Sequence, residues 1–147
     1  MIRIQELSTA DLEQIKDLFK RVFMSPPWND DWSDDEQLTR YLVELMEVRG
    51  PLILGLYDND SFIGVSIGKI KHWCRGTEYF IEELCIDCDQ QHKGYGKEFF
   101  RLIELYLKDI GINQIFLMTD RHMPAYDFYR KLGFDEVTEL ASFFKEF

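Results

Sequence analysis

The sequence predicts an α/β fold, a single domain over residues 1–147 with an α+β mixed sheet in the order β-α-α-β-β-β-α-β-α-β. Three observations carry this. The 147 residues fit one domain of about 150, with no repeat, linker or low-complexity tract to divide them. Apolar residues recur with a strand period in some segments and a helix period in others. At Gly94 the pattern switches directly from strand to helix, which creates a βα unit and a parallel strand pair.

Met1 to Glu6 alternates as a short strand. Ser8 and Thr9 offer N-caps, Asp11 and Glu13 occupy a first helical turn, and Leu12, Ile15, Leu18, Phe19, Val22 and Phe23 form the buried face of that helix. The run Ser25-Pro-Pro-Trp-Asn-Asp-Asp-Trp-Ser33 is a loop, because two prolines fix extended dihedrals and remove donors. Ser33 to Glu36 reads as a capping box opening a second helix, with Leu38, Tyr41, Leu42, Leu45 and Met46 at helical spacing and an end near Arg49-Gly50. Loop and helix make one flap. Leu52 to Tyr57, Ser61 to Ile70 and Glu78 to Asp87 form an antiparallel meander, turning at Asp58-Asn-Asp60 and Trp73-Cys-Arg-Gly76. A long helix follows from Gly94 to the Asp109-Ile-Gly111 stop, then a strand over Asn113 to Met118 and a helix over Pro124 to Leu132, closed by Gly133. The aromatic tail, Phe134 to Phe147, alternates from Ala141 onward and is expected to hold one or two strands.

Seventeen Lys+Arg against 27 Asp+Glu give a net charge of −10, which repels phosphate backbones and excludes nucleic acid as the main partner. No run approaches the length of a membrane span and no apolar leader opens the sequence, so no membrane partner is expected. Cys74, Cys85 and Cys88 are an odd set in a chain with 46% hydrophobic residues, enough for an unstapled core, and point to a reducing, cytoplasmic setting. Cys85 and Cys88 lack a second pair of matching spacing, and His72, His92 and His122 are scattered, so no metal site is expected.

The sharpest feature is Gln91-His-Lys-Gly94-Tyr-Gly96-Lys97, between a strand and a long helix. Its glycines admit a ligand close to the backbone, and the N–H groups of the first helical turn favour an anion there. It lacks the third glycine of a dinucleotide fingerprint and the Gly-Lys-Ser of a phosphate loop. Following the strand Ile81-Glu-Glu-Leu-Cys-Ile86-Asp, it resembles the acyl-CoA pyrophosphate loop of the GNAT superfamily of N-acetyltransferases. Pro124-Ala-Tyr-Asp-Phe128-Tyr129-Arg-Lys131-Leu-Gly133-Phe134 is similar to the same superfamily's last helix and the turn beyond it.

The resemblance implies a fold with splayed central parallel strands, acetyl-CoA as cofactor, and transfer of its acetyl group to a primary amine by direct attack. Leu84, Cys85 and Ile86 would line the pantetheine gap. Gln91, His92, Lys93, Gly94, Tyr95, Gly96 and Lys97 would hold the diphosphate, largely through backbone N–H groups. His122 stands where the family commonly has asparagine, a departure on the cofactor side of that helix. Tyr129 resembles the family tyrosine that protonates the departing thiolate. A homodimer is the family expectation, with 141–147 as an interface strand.

Adjacent strand side chains point to opposite faces, so at least one of Glu82 and Glu83 is expected on a covered face. Ile81-Glu82-Glu83-Leu84 resembles a segment of polyamine acetyltransferases whose first acid is the general base. That implies Glu82 as base, its acidity weakened by burial, and Glu83 as second choice or ammonium anchor. Trp28, Asp31, Trp32 and Tyr41 are expected to hold a cationic substrate by cation–π and ionic contact. The loop Pro26-Pro27-Trp28-Asn29-x-x-Trp32 also resembles that of aminoglycoside 6′-type acetyltransferases. The substrate implied is a small polycation, a polyamine or aminoglycoside-like amine. A catalytically idle acyl-CoA-binding or regulatory protein and a peptide or protein N-acetyltransferase stay open as alternatives.

Overall fold

All 147 residues are described in a computed structural model. Its sheet has five strands in chain order: β1 (Ile2–Leu7), β2 (Pro51–Asp58), β3 (Ser61–Trp73), β4 (Gly76–Ile86) and β5 (Ile115–Leu117). The first four are antiparallel neighbours, and β5 runs parallel to β4. Helices α1 (Leu12–Phe23) and α2 (Asp35–Met46) cover one face, and α3 (Tyr95–Asp109) and α4 (Pro124–Lys131) pack on the other. β2 is apolar on both sides because both faces are covered: Leu52, Leu54 and Leu56 join the α3 core, Ile53 the α1–α2 core. Leu18, Leu38, Leu42 and Ile67 are completely buried, so truncating any one to alanine should cost about 2–5 kcal/mol.

The helix faces match the periodicity: Ile15, Leu18, Phe19, Val22 and Phe23 are all buried. Ser8 forms a capping box with Asp11 around a short 3-10 turn that leads into α1. At α2 the expected capping box of Ser33 and Glu36 does not form. Asp34 is the N-cap, accepting the Gln37 N–H at 3.1 Å, while the Ser33 hydroxyl donates to Asp31 at 2.6 Å. A carboxylate one residue on outcompetes the serine, and α2 ends at Met46 rather than near Gly50.

The expected tail strand is also absent. Residues 134–147 contain no helix or strand. Phe134 packs on Phe100 and Tyr129, Glu136 is taken by Arg121 and Tyr126, and a turn forms at Val137–Leu140, beyond which the chain is separated from β5 by a cavity. An alternating segment becomes a strand only beside a partner edge, and β5 offers three residues.

The feature that shapes the site lies in β4. It pairs with β5 only through Tyr79, Phe80 and Ile81, opposite Ile115, Phe116 and Leu117, and the two strands part after that. Tyr79 N–H points toward β5, donating to Gln114 O, whereas Asp87 N–H points toward β3, donating to Ile63 O. Residues 79 and 87 have the same parity, so a regular strand would aim both the same way. The register jumps from Ile67↔Glu83 to Gly68↔Ile81, leaving Glu82 as the extra residue of a β-bulge that reverses the phase.

Candidate active site

The bulge decides where the two acids go. Tyr79 and Ile81 belong to the α3 core, yet Cys85 belongs to the α1–α2 core, although all three have odd numbers. Glu82 and Glu83 therefore both line one cavity of about 380 Å³ instead of pointing to opposite faces, which corrects the alternation argument. The expectation of a buried Glu82 also fails, because Glu82 is exposed and Glu83 is the half-buried one. Burial and the neighbouring charges of Asp30 and Glu82 push the Glu83 carboxyl above its ordinary value, while a 2.6 Å hydrogen bond from the Tyr41 hydroxyl opposes them.

The cavity lies between the opened β4–β5 pair and the loop joining α1 to α2. Trp28, Asp30 and Trp32 form its loop side, Ile81 to Leu84 and Leu117 to Asp120 its strand side, and Ala125 and Tyr129 its α4 side. Four carboxylates line it, Asp30, Glu82, Glu83 and Asp120, and no lysine or arginine does. The rest of the acidic flap is spent on structure. Asp31 accepts from Ser33, Asp34 caps α2, Asp35 pairs with Lys16 and Lys20, and Glu36 pairs with Arg40. Asp30 thus replaces Asp31 as the flap acid facing the cavity. Asp120 was missed by the sequence reading, and its only visible signal was a position just beyond a buried strand. Trp28 and Trp32 do reach the cavity, while Tyr41 does not line it.

On the other side of the gap, Asp87 N–H bonded to β3 sets the alternation: Cys85 N–H also faces β3, and the peptide groups of Leu84 and Ile86 face the opening. The Gln91 side-chain amide donates to Ile86 O at 3.1 Å, tying the loop to the strand end. Cys85, expected beside the gap, instead buries its side chain in the α1–α2 core, where burial pushes the thiol up and keeps it protonated. Gly94 caps α3 at φ +82°, and a Cβ there would meet nothing within 4 Å, so the cradle above the helix start is open. At Gly96 a Cβ would sit 2.8 Å from Phe128 Cζ; that glycine admits α4 against α3 rather than a ligand. Tyr95 turns its hydroxyl to Asp58 at 2.8 Å, leaving only its backbone for the loop. His92, Lys93, Lys97 and His122 are exposed side chains around the cradle and α4.

Tyr129 sits on α4 with its ring against Phe100, Phe128 and Phe134, and its residue lines the cavity beside Glu83. Burial, then the Glu83 charge, push its phenol up to about 12, so it holds its proton at neutral pH. No three His, Cys, Asp or Glu side chains are grouped to hold a metal ion, and no helix is long and apolar enough to cross a membrane.

A parallel pair opened at its carboxyl ends, with unpaired strand amides leading to a bare helix start, is a crevice fitted to an elongated ligand with an anionic end. The sequence matches the acetyltransferase (GNAT) family over residues 12–134. The chain belongs to that family and is an acetyl-CoA-dependent N-acetyltransferase. Solved structures share the fold at low identity. A possible acetyltransferase from Clostridium difficile 630 superimposes with a TM-score of 0.81 at 18% identity, covering 100% of this chain and 99% of that one. An aminoglycoside acetyltransferase from an uncultured soil metagenomic sample, in complex with sisomicin, gives 0.73 at 18%, covering 99% and 96%. The protein AAC(6′)-Iy, in complex with the bisubstrate analogue CoA-S-monomethyl-acetylneamine, gives 0.72 at 17%, covering 99% of each. No curated protein matches the sequence.

Proposed function

We propose that this enzyme acetylates a primary amine of a small polycation of polyamine or aminoglycoside type. The observation that carries the reading is the cavity wall: four carboxylates and two tryptophans with no basic side chain. Such a wall attracts several ammonium groups at once and offers nothing to a carboxylate or phosphate.

Acetyl-CoA supplies, when bound, an activated thioester carbonyl to which a neutral amine adds and from which a thiolate leaves. The Leu84 peptide group, the Ile86 N–H and the N–H groups at the start of α3 are the groups fitted to hold it, Ile86 O being taken by the Gln91 side-chain amide. Glu83 takes the proton from the ammonium nitrogen; its weakened acidity makes it a better base than an ordinary carboxylate. Glu82, Asp30 and Asp120 hold the other ammonium groups of the substrate. The Tyr129 hydroxyl donates a hydrogen bond to the leaving sulfur. At about 12 the phenol is a weaker acid than a thiol of about 8.5, so it stabilises the thiolate chiefly as a donor. The exposed aromatic tail further supports assembly as a homodimer.

A thiol-release screen over polyamines, aminoglycosides, amino acids and lysine peptides tests the substrate class. The first two groups should be preferred, with KM rising as salt screens the steering charges beyond about 8 Å. A neutral or anionic amine as best substrate, with a salt-independent KM, overturns the polycation reading.

A further inference from the structure

Behind the cavity wall stands a residue outside the proposed chemistry, bonded to one of the acids that line the cavity. Tyr41, on α2, places its hydroxyl 2.6 Å from Glu83 Oε1 across 42 residues of sequence. Its ring is stacked on Trp32, with centroids 5.2 Å apart and planes 19° apart, and lies edge-on to Phe19 at 6.3 Å. Phe19 in turn meets Trp32 edge-on at 5.7 Å. Tyr41 is therefore fixed by aromatic contacts with the flap and α1, and its ring is turned to Trp32 rather than to a substrate.

We infer that Tyr41 is the positioning residue for the proton-accepting carboxylate: held against Trp32, it engages Oε1 of Glu83 and leaves Oε2 for the amine. The inference rests on the reading of Glu83 as the group that takes the ammonium proton. The charged and titratable groups around Glu83 are Tyr41 from α2, Asp30 from the flap, Glu82 and Cys85 from β4, Tyr129 from α4 and Asp120 beyond β5. None is a cation. Tyr41 is also the one hydrogen-bond donor the Glu83 side chain has. Burial and the Glu83 charge keep the Tyr41 phenol protonated, so it donates throughout the working pH range. A carboxylate torsion is broad unless something holds it, and misplacement of a base costs rate steeply. In the step itself the proton passes from the ammonium nitrogen to Oε2, and Tyr41 keeps its own.

Tyr41→Phe retains the stacked ring and removes only the donor. Losing a hydrogen bond to the charged form must raise the Glu83 carboxyl further. With glutamate labelled at the carboxyl carbon and the Glu83 resonance identified by Glu83→Gln, its titration should move to higher pH in Tyr41→Phe. The acidic limb of kcat/KM should move the same way, with kcat/KM at low pH down about tenfold and acetyl-CoA affinity unchanged. Added to Glu83→Gln, the Tyr41 substitution should cost nothing more. In the unsubstituted chain, the labelled phenol carbon of Tyr41 should shift with the same midpoint as Glu83, a measurement needing no variant. An unmoved Glu83 titration, or a Tyr41 resonance indifferent to it, overturns the positioning role. Full activity in Glu83→Gln would instead remove Glu83 as the base while leaving the resonance result to stand or fall alone.

Discussion

At Glu83 the proposed base role is set against stability. Its folded-state acidity is weakened by burial, so its contribution to stability is full below the unfolded carboxyl value and is lost as pH rises through the raised folded one. At neutral pH the ionised side chain is a net cost to the fold. Glu83→Gln, whose amide oxygen still accepts from Tyr41, should therefore raise Tm at neutral pH, and the gain should close below about pH 4, where both forms are neutral. Thermal unfolding across that range checks the sign; a Tm lowered at neutral pH would show that the charge is compensated. Tyr129 makes the complementary case. Tyr129→Phe keeps the packing on Phe100 and Phe134 and should leave acetyl-CoA affinity unchanged in calorimetry, while kcat falls about 10–100-fold. The motifs singled out both residues, but that Glu83 rather than Glu82 is the half-buried acid was not legible. The bulge that turns them to one cavity is a mismatch of register with β3, a property of two strands that neither encodes alone. Nor could composition separate Asp30 from its acidic neighbours, since capping and ion pairing consume carboxylates without leaving a mark on the sequence.

The glycine loop was plain in the sequence, and its two glycines now separate by mechanism. At Gly94 the backbone is left-handed in open space, so Gly94→Ala should cost about 1–2 kcal/mol through strain and loosen the cradle over the α3 start. At Gly96 the conformation is helical. Alanine there would gain up to about 1 kcal/mol of helix propensity. The 2.8 Å approach to the Phe128 ring sets about 1–3 kcal/mol of overpacking against it, so the net effect is a loss. The signs should part in a second background: with Phe128→Leu, Gly96→Ala should become neutral or stabilising in urea unfolding, whereas Gly94→Ala should stay costly. Calorimetry with acetyl-CoA should find Gly94→Ala the weaker binder of the two. Helices α1 and α3 were readable to within a residue or two because their buried faces repeat at helical spacing. The length of β5 was not, since the strand expected over Asn113 to Met118 finds partners on β4 only at Ile115, Phe116 and Leu117.

Across the whole molecule, the sheet is covered by helices on both faces and ends in two edge strands, β1 and β5. β5 pairs on one side only, and between it and residues 137–142 lies a second cavity of about 370 Å³. Beyond it, Phe143 and Phe144 are 96% and 90% exposed and Phe147 wholly so. The expected tail strand has the right alternation and no partner within its own chain, which is why pattern alone misplaced it. Three neighbouring phenylalanines left in water cost roughly 1.5–3 kcal/mol each relative to burial, enough to drive self-association if a second copy covers them. Sedimentation at micromolar concentration should accordingly show a dimer, and replacing Phe143, Phe144 and Phe147 together by serine should give a monomer. Because these side chains bury nothing within the chain, the triple variant should keep the Tm that the parent shows when diluted to monomer. A parent chain that stays monomeric at all concentrations would end the dimer reading. A variant that loses several degrees relative to the diluted parent would show that the tail packs on its own sheet instead.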